Sequence, residues 1–499
     1  MSLLGIDIGS NGCKVAAYTE DGKLISFAYK EYSIETVGSD FELSSSVVWE
    51  CVLSCLLETV KRSGQDTVKA ISVSSMADTF TPVLQDGTAL SNSIMSFDSR
   101  AYAETREYKK RVDPFKIYQT TGMMLHPMHP AFKLAWLEKN RPEIFENAWK
   151  FLCYEDFILW KLGAEPSCSY SIAGRTMLFN NKTKEWDGDL LKSFHVDRTK
   201  LPYLYPSGCV VGSVSKEVAE KTRLPVSTKL VTGGFDQACC AVACGVFNKG
   251  EMVDTTGTNE IIFFIADKHQ QRALFKNNFS YSYHVLDDSI FSSFGHMFNA
   301  GGAFKWYRSL FSEESVLSYN TITETMDQGV TNVFFLPYLT GMGTPEMRYD
   351  IQAAFYGLSL DTSRFTIAKA ILEGINMELK YNIELISSLT NTPIKKLRAL
   401  GGATKSSKWM QLKADVLGAV VESFSDLEAG AAGAAIIAGV GAGVFGDIQD
   451  GYKAFSRNYK KAVFMPDEDM HQQYNTKYES FKTLRNNLKN IDIKKVNIK

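Results

Sequence analysis

The chain predicts an α/β protein of two domains, each a mixed sheet flanked by helices, with a ligand cleft between them. Three observations lead there. Its 499 residues exceed what one ordinary core accommodates, at about 100–200 residues per domain. Short apolar, β-branched runs alternate with segments of helical periodicity in both halves. Each half also carries an aspartate in a glycine-rich setting directly after such a run, Asp7 in LLGIDIGSNG and Asp236 in LVTGGFDQACC. A carboxylate at a strand's carboxyl end, amid glycines, sits beside backbone N–H groups that can approach phosphate oxygens closely.

The opening reads as a strand over 3–8, a turn at Ser10-Asn11-Gly12, a second strand over 13–18, a turn at Glu20-Asp21-Gly22 and a third strand from Leu24. That is a three-stranded meander. Val48, Cys51, Val52, Cys55, Leu56 and Val60 recur at helical spacing, and the β-branched run 68–73 follows as a buried strand. Meander, helix and strand imply mixed strand directions. Between Pro114 and Pro206 the texture turns aromatic, polar and proline-punctuated, which reads as an insertion or cap on the first domain.

The second half repeats the plan loosely. A strand over 229–232, a turn at Gly233-Gly234-Phe235-Asp236 and a helix through Gly245 precede GEMVDTTGTNEIIFFIA, itself strand, turn and strand. Ala368, Ile371, Leu372, Ile375, Leu379, Ile383 and Ile386 mark one face of a long amphipathic helix over 365–387. A strand over 394–400 then feeds Gly401-Gly402. The domain boundary is expected near residue 246, giving domains 1–246, with the insertion at about 114–206, and 247–499. The uncharged run from Ala429 to Phe445 is shorter than the roughly 20 residues of a membrane span and is flanked by Glu428 and Asp447. It reads as a small-residue helix packed tightly against a sheet.

With 54 basic and 56 acidic residues the net charge is −2. Nucleic acid and membrane are therefore poor partners. The basic stretch KNIDIKKVNIK at the end reads as a solvated terminus. Nine scattered cysteines and no secretory leader indicate a reduced, cytoplasmic protein. Cys51 and Cys55, like Cys240 and Cys244, stand at helical spacing, and without a C-x-x-C pair a structural zinc site is not expected.

Phosphoryl transfer from ATP needs neutralised phosphate oxygens, a bound Mg²⁺, a positioned hydroxyl and a carboxylate to take its proton. The chain has a candidate for each. It lacks G-x-x-x-x-G-K-[ST], H-R-D and D-F-G. Phosphate must then be held by other turns: Asp7-Ile8-Gly9-Ser10, with Asn11 beside it, and Thr256-Gly257-Thr258 each offer glycine N–H groups next to a hydroxyl. Purely structural hairpin turns are the competing reading for both.

In these features the chain resembles the FGGY family of carbohydrate kinases, from Asp7 to about Phe445. The most specific pieces are MHPAFKLAWLEKN (128–140) and GGATKSSKWMQLKADVLG (401–418), joined in order by GGFDQACCAVACG, TTGT, FLPYLTGMGTP and EAGAAGAAIIAGVG. The resemblance implies the duplicated actin-like, ribonuclease H-like ATPase fold. It further implies Asp236 as the general base for a sugar hydroxyl and Asp7 as the Mg²⁺ carboxylate. A lone strand-end carboxylate suits Mg²⁺, which dehydrates reluctantly; for Asp236, a capping residue at the start of the next helix is the structural alternative.

Carried over by position, Ser10 stands where the family more often has threonine on the first phosphate loop, and Gly257 and Thr258 match the second. Gly401, Gly402 and Ser406 match the adenosine loop, with Ala403 where glycine is usual. The departures concentrate at the sugar. Ser74-Ser75-Met76-Ala77-Asp78 replaces the G-Q-M-H-G pattern of xylulose kinases and the Arg-Glu pair of glycerol kinases. Asp78, short and acceptor-only, is suited to a vicinal diol and poorly suited to a substrate carboxylate, with a loop-turn aspartate as the alternative. Phe97-Asp98-Ser99-Arg100 resembles the family's Trp-x-Asp-x-Arg segment, making Phe97 and Asp98 further substrate candidates and Arg100 either that or an ion-pair partner.

The expected activity is ATP- and Mg²⁺-dependent phosphorylation of a small ketose or polyol, foremost a pentulose such as xylulose, with erythritol, glycerol or gluconate as alternative acceptors. A homodimer is possible on family pattern. A non-catalytic actin-like nucleotide-binding scaffold is the competing class, and a phosphatase acting on phosphate polymers is disfavoured by the adenine-like loop at Gly401.

Overall fold

The computed structural model describes residues 1–38, 40–64, 67–311, 318–326 and 329–491, so most of the basic terminal stretch lies outside the described residues. Two mixed sheets organise the chain. The first runs, edge to edge, Val210–Ser213, Lys229–Phe235, Val68–Ser75, Ser2–Ile8, Gly12–Thr19, Leu24–Glu31. The second runs Tyr281–Tyr283, Phe291–Met297, Glu260–Ala266, Glu251–Thr256, Lys396–Gly401, Val420–Ser423, Ala462–Phe464.

Strand directions expose a duplication that the letters barely carry. In each sheet an antiparallel meander is followed by two strands parallel to its first strand and then by an antiparallel edge strand. The hairpin turn after Asp7 in one sheet thus corresponds to the turn after Thr256 in the other.

One expectation is corrected here. The segment 233–235 is not a turn: the strand Lys229–Phe235 runs straight into the helix Asp236–Cys244. Its pairing with Val68–Ser75 shifts register between Val231 and Gly234. A Cβ on Gly233 would lie 2.0 Å from the Val73 carbonyl oxygen, so glycine lets the strand press against its neighbour where the ladder is interrupted.

The Ala/Gly-rich run forms the helix Ala429–Gly441, buried through Gly439. It belongs spatially to the first sheet. A Cβ on Gly5 would fall 1.7 Å from the Ala431 carbonyl oxygen, and one on Gly433 would fall 2.0 Å from that of Cys239. Small residues let this helix wedge between the first strand and the Asp236 helix, so a division at residue 246 cuts across packing as well as along it. Among the described residues no helix is long and apolar enough to cross a membrane. Residues 114–206 form helices and short strands, and their Phe132 and Phe194 pack ring on ring with each other and with Tyr108 of the preceding helix.

Candidate active site at the strand ends

Three adjacent parallel strands of the first sheet end in register, with Ile8 beside Ser75 and Ser75 beside Phe235. Their carboxyl ends deliver the three segments singled out in the sequence: Asp7 to Asn11, Met76 to Asp78, and Asp236. Open α/β sheets bind ligands at this edge.

Asp7 accepts a 2.7 Å hydrogen bond from Ser74 Oγ on the neighbouring strand through Oδ1. Burial pushes its pKa up, against the Ser74 hydrogen bond and the Lys14 ammonium, which push it down. Lys14 in turn pairs with Glu428 at 2.7 Å. Asp236 is the first residue of its helix, and its Oδ1 accepts from the Gln237 N–H at 2.6 Å, so the carboxylate does take a helix-start N–H. Burial, and then the negative charge of Asp7, push its pKa up to about 7. Two half-buried carboxylates that repel each other, each with only one oxygen bonded within the protein, fit a site that holds a hard cation and activates a hydroxyl.

The backbone that aims Asp236 is held by side chains the sequence did not flag. Glu155, in the helix Tyr154–Leu162, accepts the Gly233 N–H at 2.7 Å and the Ser169 hydroxyl at 2.6 Å, while Ser171 Oγ accepts the Phe235 N–H at 3.2 Å. These bonds satisfy donors freed by the register shift. Burial pushes the Glu155 carboxyl up to about 7. Among the described residues, Glu155, Asp156 and Cys168 are the one group with metal-ligating atoms in mutual reach, but Glu155 is already spent on this clamp.

The sugar-side expectations are corrected in part. Asp78, in the left-handed region at φ 63°, does not present free oxygens: Oδ1 meets His129 Nδ1 at 2.9 Å and Oδ2 accepts from Arg175 at 2.7 Å. Burial works against its charge, yet Arg175 and His129 hold its pKa down at about 2. It is a bracket for Arg175, whose guanidinium lies between the rings of Phe235 and Phe294, at 5.2 and 4.9 Å. Asp98 is likewise consumed, accepting from Arg100 and, at 2.7 Å, from the Phe41 N–H. The ion-pair reading of Arg100 holds. Met76 and Ala77 are buried, and Met76 N–H binds the Ile8 carbonyl at 2.9 Å, tying the loop to the first strand. Phe97 stays exposed on the wall of a cavity of about 610 Å³, with Asp98, His129 and Arg175 also on that wall.

Lys133, inside the MHPAFKLAWLEKN segment, explains part of that motif. Fully buried, it donates to the carbonyls of Asp78 at 2.6 Å and Met95 at 2.8 Å, joining the loop that carries Asp78 to the one that leads into Asp98. Burial pushes its pKa down to about 7.

The second sheet presents the matching edge. Thr256 and Gly401 are register partners on parallel strands, and Gly257, Thr258, Gly402, Ala403 and Ser406 line a cavity of about 390 Å³ together with Phe304, Tyr319 and Trp409. Gly9, Ser10 and Asn11 stand on the other lobe and do not line it. The pair Gly301-Gly302, missed in the sequence, closes this cavity: Gly301 N–H binds the Gly257 carbonyl at 3.0 Å, where a Cβ would come within 2.5 Å. A double glycine opening an amphipathic helix was the available signal. Gly401 sits at φ 90°, and nothing lies within 4 Å of where a Cβ on Gly402 would be. Ser406 Oγ accepts from Trp409 N–H at 3.3 Å and caps the next helix. Beneath the turn, buried Lys413 pairs with Asp254 and Glu260 and bonds Thr256 Oγ1.

Carboxylates at the strand ends of one actin-like lobe and a glycine-edged aromatic cavity on its duplicate define a two-lobed phosphotransferase. The chain belongs to the FGGY family of carbohydrate kinases, whose N-terminal domain matches residues 2–243 and whose C-terminal domain matches residues 253–442. It is 26% identical to a xylulose kinase of Lactococcus lactis, over 98% of this chain and 97% of that one. It is 25% identical to a gluconokinase of Bacillus subtilis, over 98% and 96%. The crystal structure of a ligand-bound xylulose kinase from Lactobacillus acidophilus superposes with a TM-score of 0.86 at 24% identity, covering 98% of both chains. The protein is thus a carbohydrate kinase that uses ATP.

Proposed function

We propose that Asp236 is the general base of a reaction that moves the γ-phosphoryl group of Mg-ATP to a hydroxyl of a small open-chain ketose, polyol or sugar acid. The observation that carries this reading is the convergence of Asp7, the Met76–Asp78 loop and Asp236 on one sheet edge. In the step, the acceptor O–H proton passes to the Asp236 carboxylate. A bond forms from that oxygen to the γ-phosphorus as the bond to the β–γ bridging oxygen breaks, and ADP leaves. A pKa near 7 suits a base at neutral pH. Asp7, through the oxygen not bonded to Ser74, would hold Mg²⁺, which when bound screens the phosphate oxygens. Gly257 and Thr258, with Gly9, Ser10 and Asn11 facing from the first lobe, would cradle phosphates. Gly402, Ala403 and Ser406, with Trp409, would receive the adenosine, and Gly401, outside the cavity lining, would set the turn that presents them.

The names of the relatives point to a pentulose of the xylulose type or to gluconate as the acceptor. We place the lobe boundary at 246–247 and the protein in the cytoplasm, in keeping with nine free thiols. A coupled assay of ADP release over pentuloses, hexuloses, pentitols, tetritols and aldonates tests the proposal. One class should raise turnover far above ATP hydrolysis in water, and Asp236→Asn should remove at least about 100-fold of that gain. Equal rates across the panel would overturn it.

A further inference from the structure

Within that reading the two acceptor classes differ by one charge, and the wall of the 610 Å³ cavity discriminates between them. It is formed from both halves of the chain, and its charged groups can be accounted for one by one. Asp98 is neutralised by Arg100 at 2.8 Å. Glu346 is neutralised by Arg485 at 2.6 Å and Lys489 at 2.9 Å. Asp78 takes one partner on each oxygen, Arg175 at 2.7 Å and the His129 ring at 2.9 Å. His126 and His296, each half-buried, have pKa values pushed down to about 4 by desolvation and are neutral at physiological pH.

Two cations are left over. Tyr102, Thr105, Arg106 and Lys109 line the cavity from one helix, Tyr102–Lys109, at the spacing of a single helical face. Arg106 and Lys109, both exposed, form no ion pair with any of the described residues. The acids of the same helix point elsewhere, Glu107 to Lys110 at 2.7 Å and Glu104 to Lys139 at 3.7 Å. The inner end, at Arg175 and Phe294, abuts Phe235 and so the start of the Asp236 helix, with Phe235 and Phe294 ring centroids 6.0 Å apart. The charges at the inner end of the cavity are thus paired with one another, and its outer wall carries two cations without a salt bridge among the described residues.

We infer that the acceptor is an acidic sugar, its hydroxyls directed inward toward Arg175, His129 and Asp236 and its anionic end held by Arg106 and Lys109. A carboxylate, as in an aldonate, and a phosphate monoester share this chemistry. The inference rests on the kinase reading above.

The test uses the full-length enzyme with Mg-ATP. It compares kcat/KM for five- and six-carbon aldonates, a polyol phosphate, and the neutral pentuloses and pentitols of equal length. An acid should be preferred over its neutral counterpart by about tenfold or more, the preference shrinking as ionic strength rises. Which acid wins separates carboxylate from phosphate. In the double variant Arg106→Gln/Lys109→Gln the acid-to-neutral ratio should fall by about tenfold, through KM for the acid and not kcat. A neutral sugar preferred by the wild type, or a ratio untouched by the double variant, overturns the inference while leaving the kinase reading intact. No acceleration by any acceptor overturns both.

Discussion

Gly430 and Asp7 are in such close approach that a Cβ on Gly430 would lie 2.4 Å from Asp7 Oδ1. The helix Ala429–Gly441 therefore begins against the carboxylate, and its first turn forms one wall of the site. Gly430→Ala should displace Asp7, or the helix, without adding or removing charge. The expected outcome is a fall in kcat of about tenfold or more and a raised Mg²⁺ requirement, by steady-state kinetics over a magnesium titration. Unchanged kinetics would exclude Asp7 from the metal site.

The Glu155 clamp yields a second prediction. Glu155→Ala leaves the Gly233 N–H buried without its acceptor, and the end of the strand that carries Asp236 loses its anchor. We expect kcat to fall by about tenfold or more while KM for ATP holds, because the cavity proposed for the nucleotide lies on the other lobe. Glu155→Gln keeps an acceptor oxygen and should recover most of the rate. Loss of kcat in the alanine variant with no recovery in the glutamine variant would mean that the negative charge, and not the hydrogen bond, matters.

What the sequence disclosed and withheld follows from the range of the interactions. The meander, the long helix and the small-residue helix were legible because each is written in local periodicity, and Asp7 and Asp236 because glycines mark strand ends. The turn assigned to 233–236 failed because a Gly-Gly pair signals either a reversal or a close approach of two strands, and only the presence of Val73 across the sheet decides between them. Asp78 was read as a free ligand because its partners, His129 and Arg175, lie far along the chain with no motif to join them. Glu155 and the Arg106–Lys109 face were invisible for the same reason: their meaning lies in what they touch, or fail to touch, after folding.

Asp78 supplies a third prediction. Its carboxylate is the sole ion-pair partner of buried Arg175 among the described residues. Asp78→Ala should destabilise the fold by about 3–5 kcal/mol, the cost of leaving a buried charge unpaired, and should raise KM for the acceptor more than KM for ATP. The folded pKa of about 2 lies below the unfolded 3.8. The pair's contribution is therefore present above about pH 4 and is lost as pH falls through 2. Chemical denaturation at pH 7 and pH 3 should show the gap between wild type and variant narrowing at the lower pH.

Asp236 has the opposite sign. Burial and the charge of Asp7 raise its folded pKa to about 7, above the unfolded 3.8. The folded state thus holds a proton that the unfolded state has released, and this favours folding below pH 7 relative to higher pH. As pH rises from about 4 to 7 the fold progressively loses that advantage, and above 7 it carries a charge it resists. Asp236→Asn removes the ionisation altogether. At pH 8 the variant should be more stable than wild type, by an amount on the order of 1–3 kcal/mol, and the difference should shrink toward pH 5. Activity must run the other way, since a protonated base accepts nothing: wild-type kcat/KM should fall as pH drops below 7. Asp7→Asn, by removing the repelling charge, should move the stability transition of Asp236 to lower pH. Thermal melts of the three proteins across pH 5 to 8 read all of this without substrate. A stability gain in Asp236→Asn that does not vary with pH would show that the carboxylate at position 236 is not the titrating group.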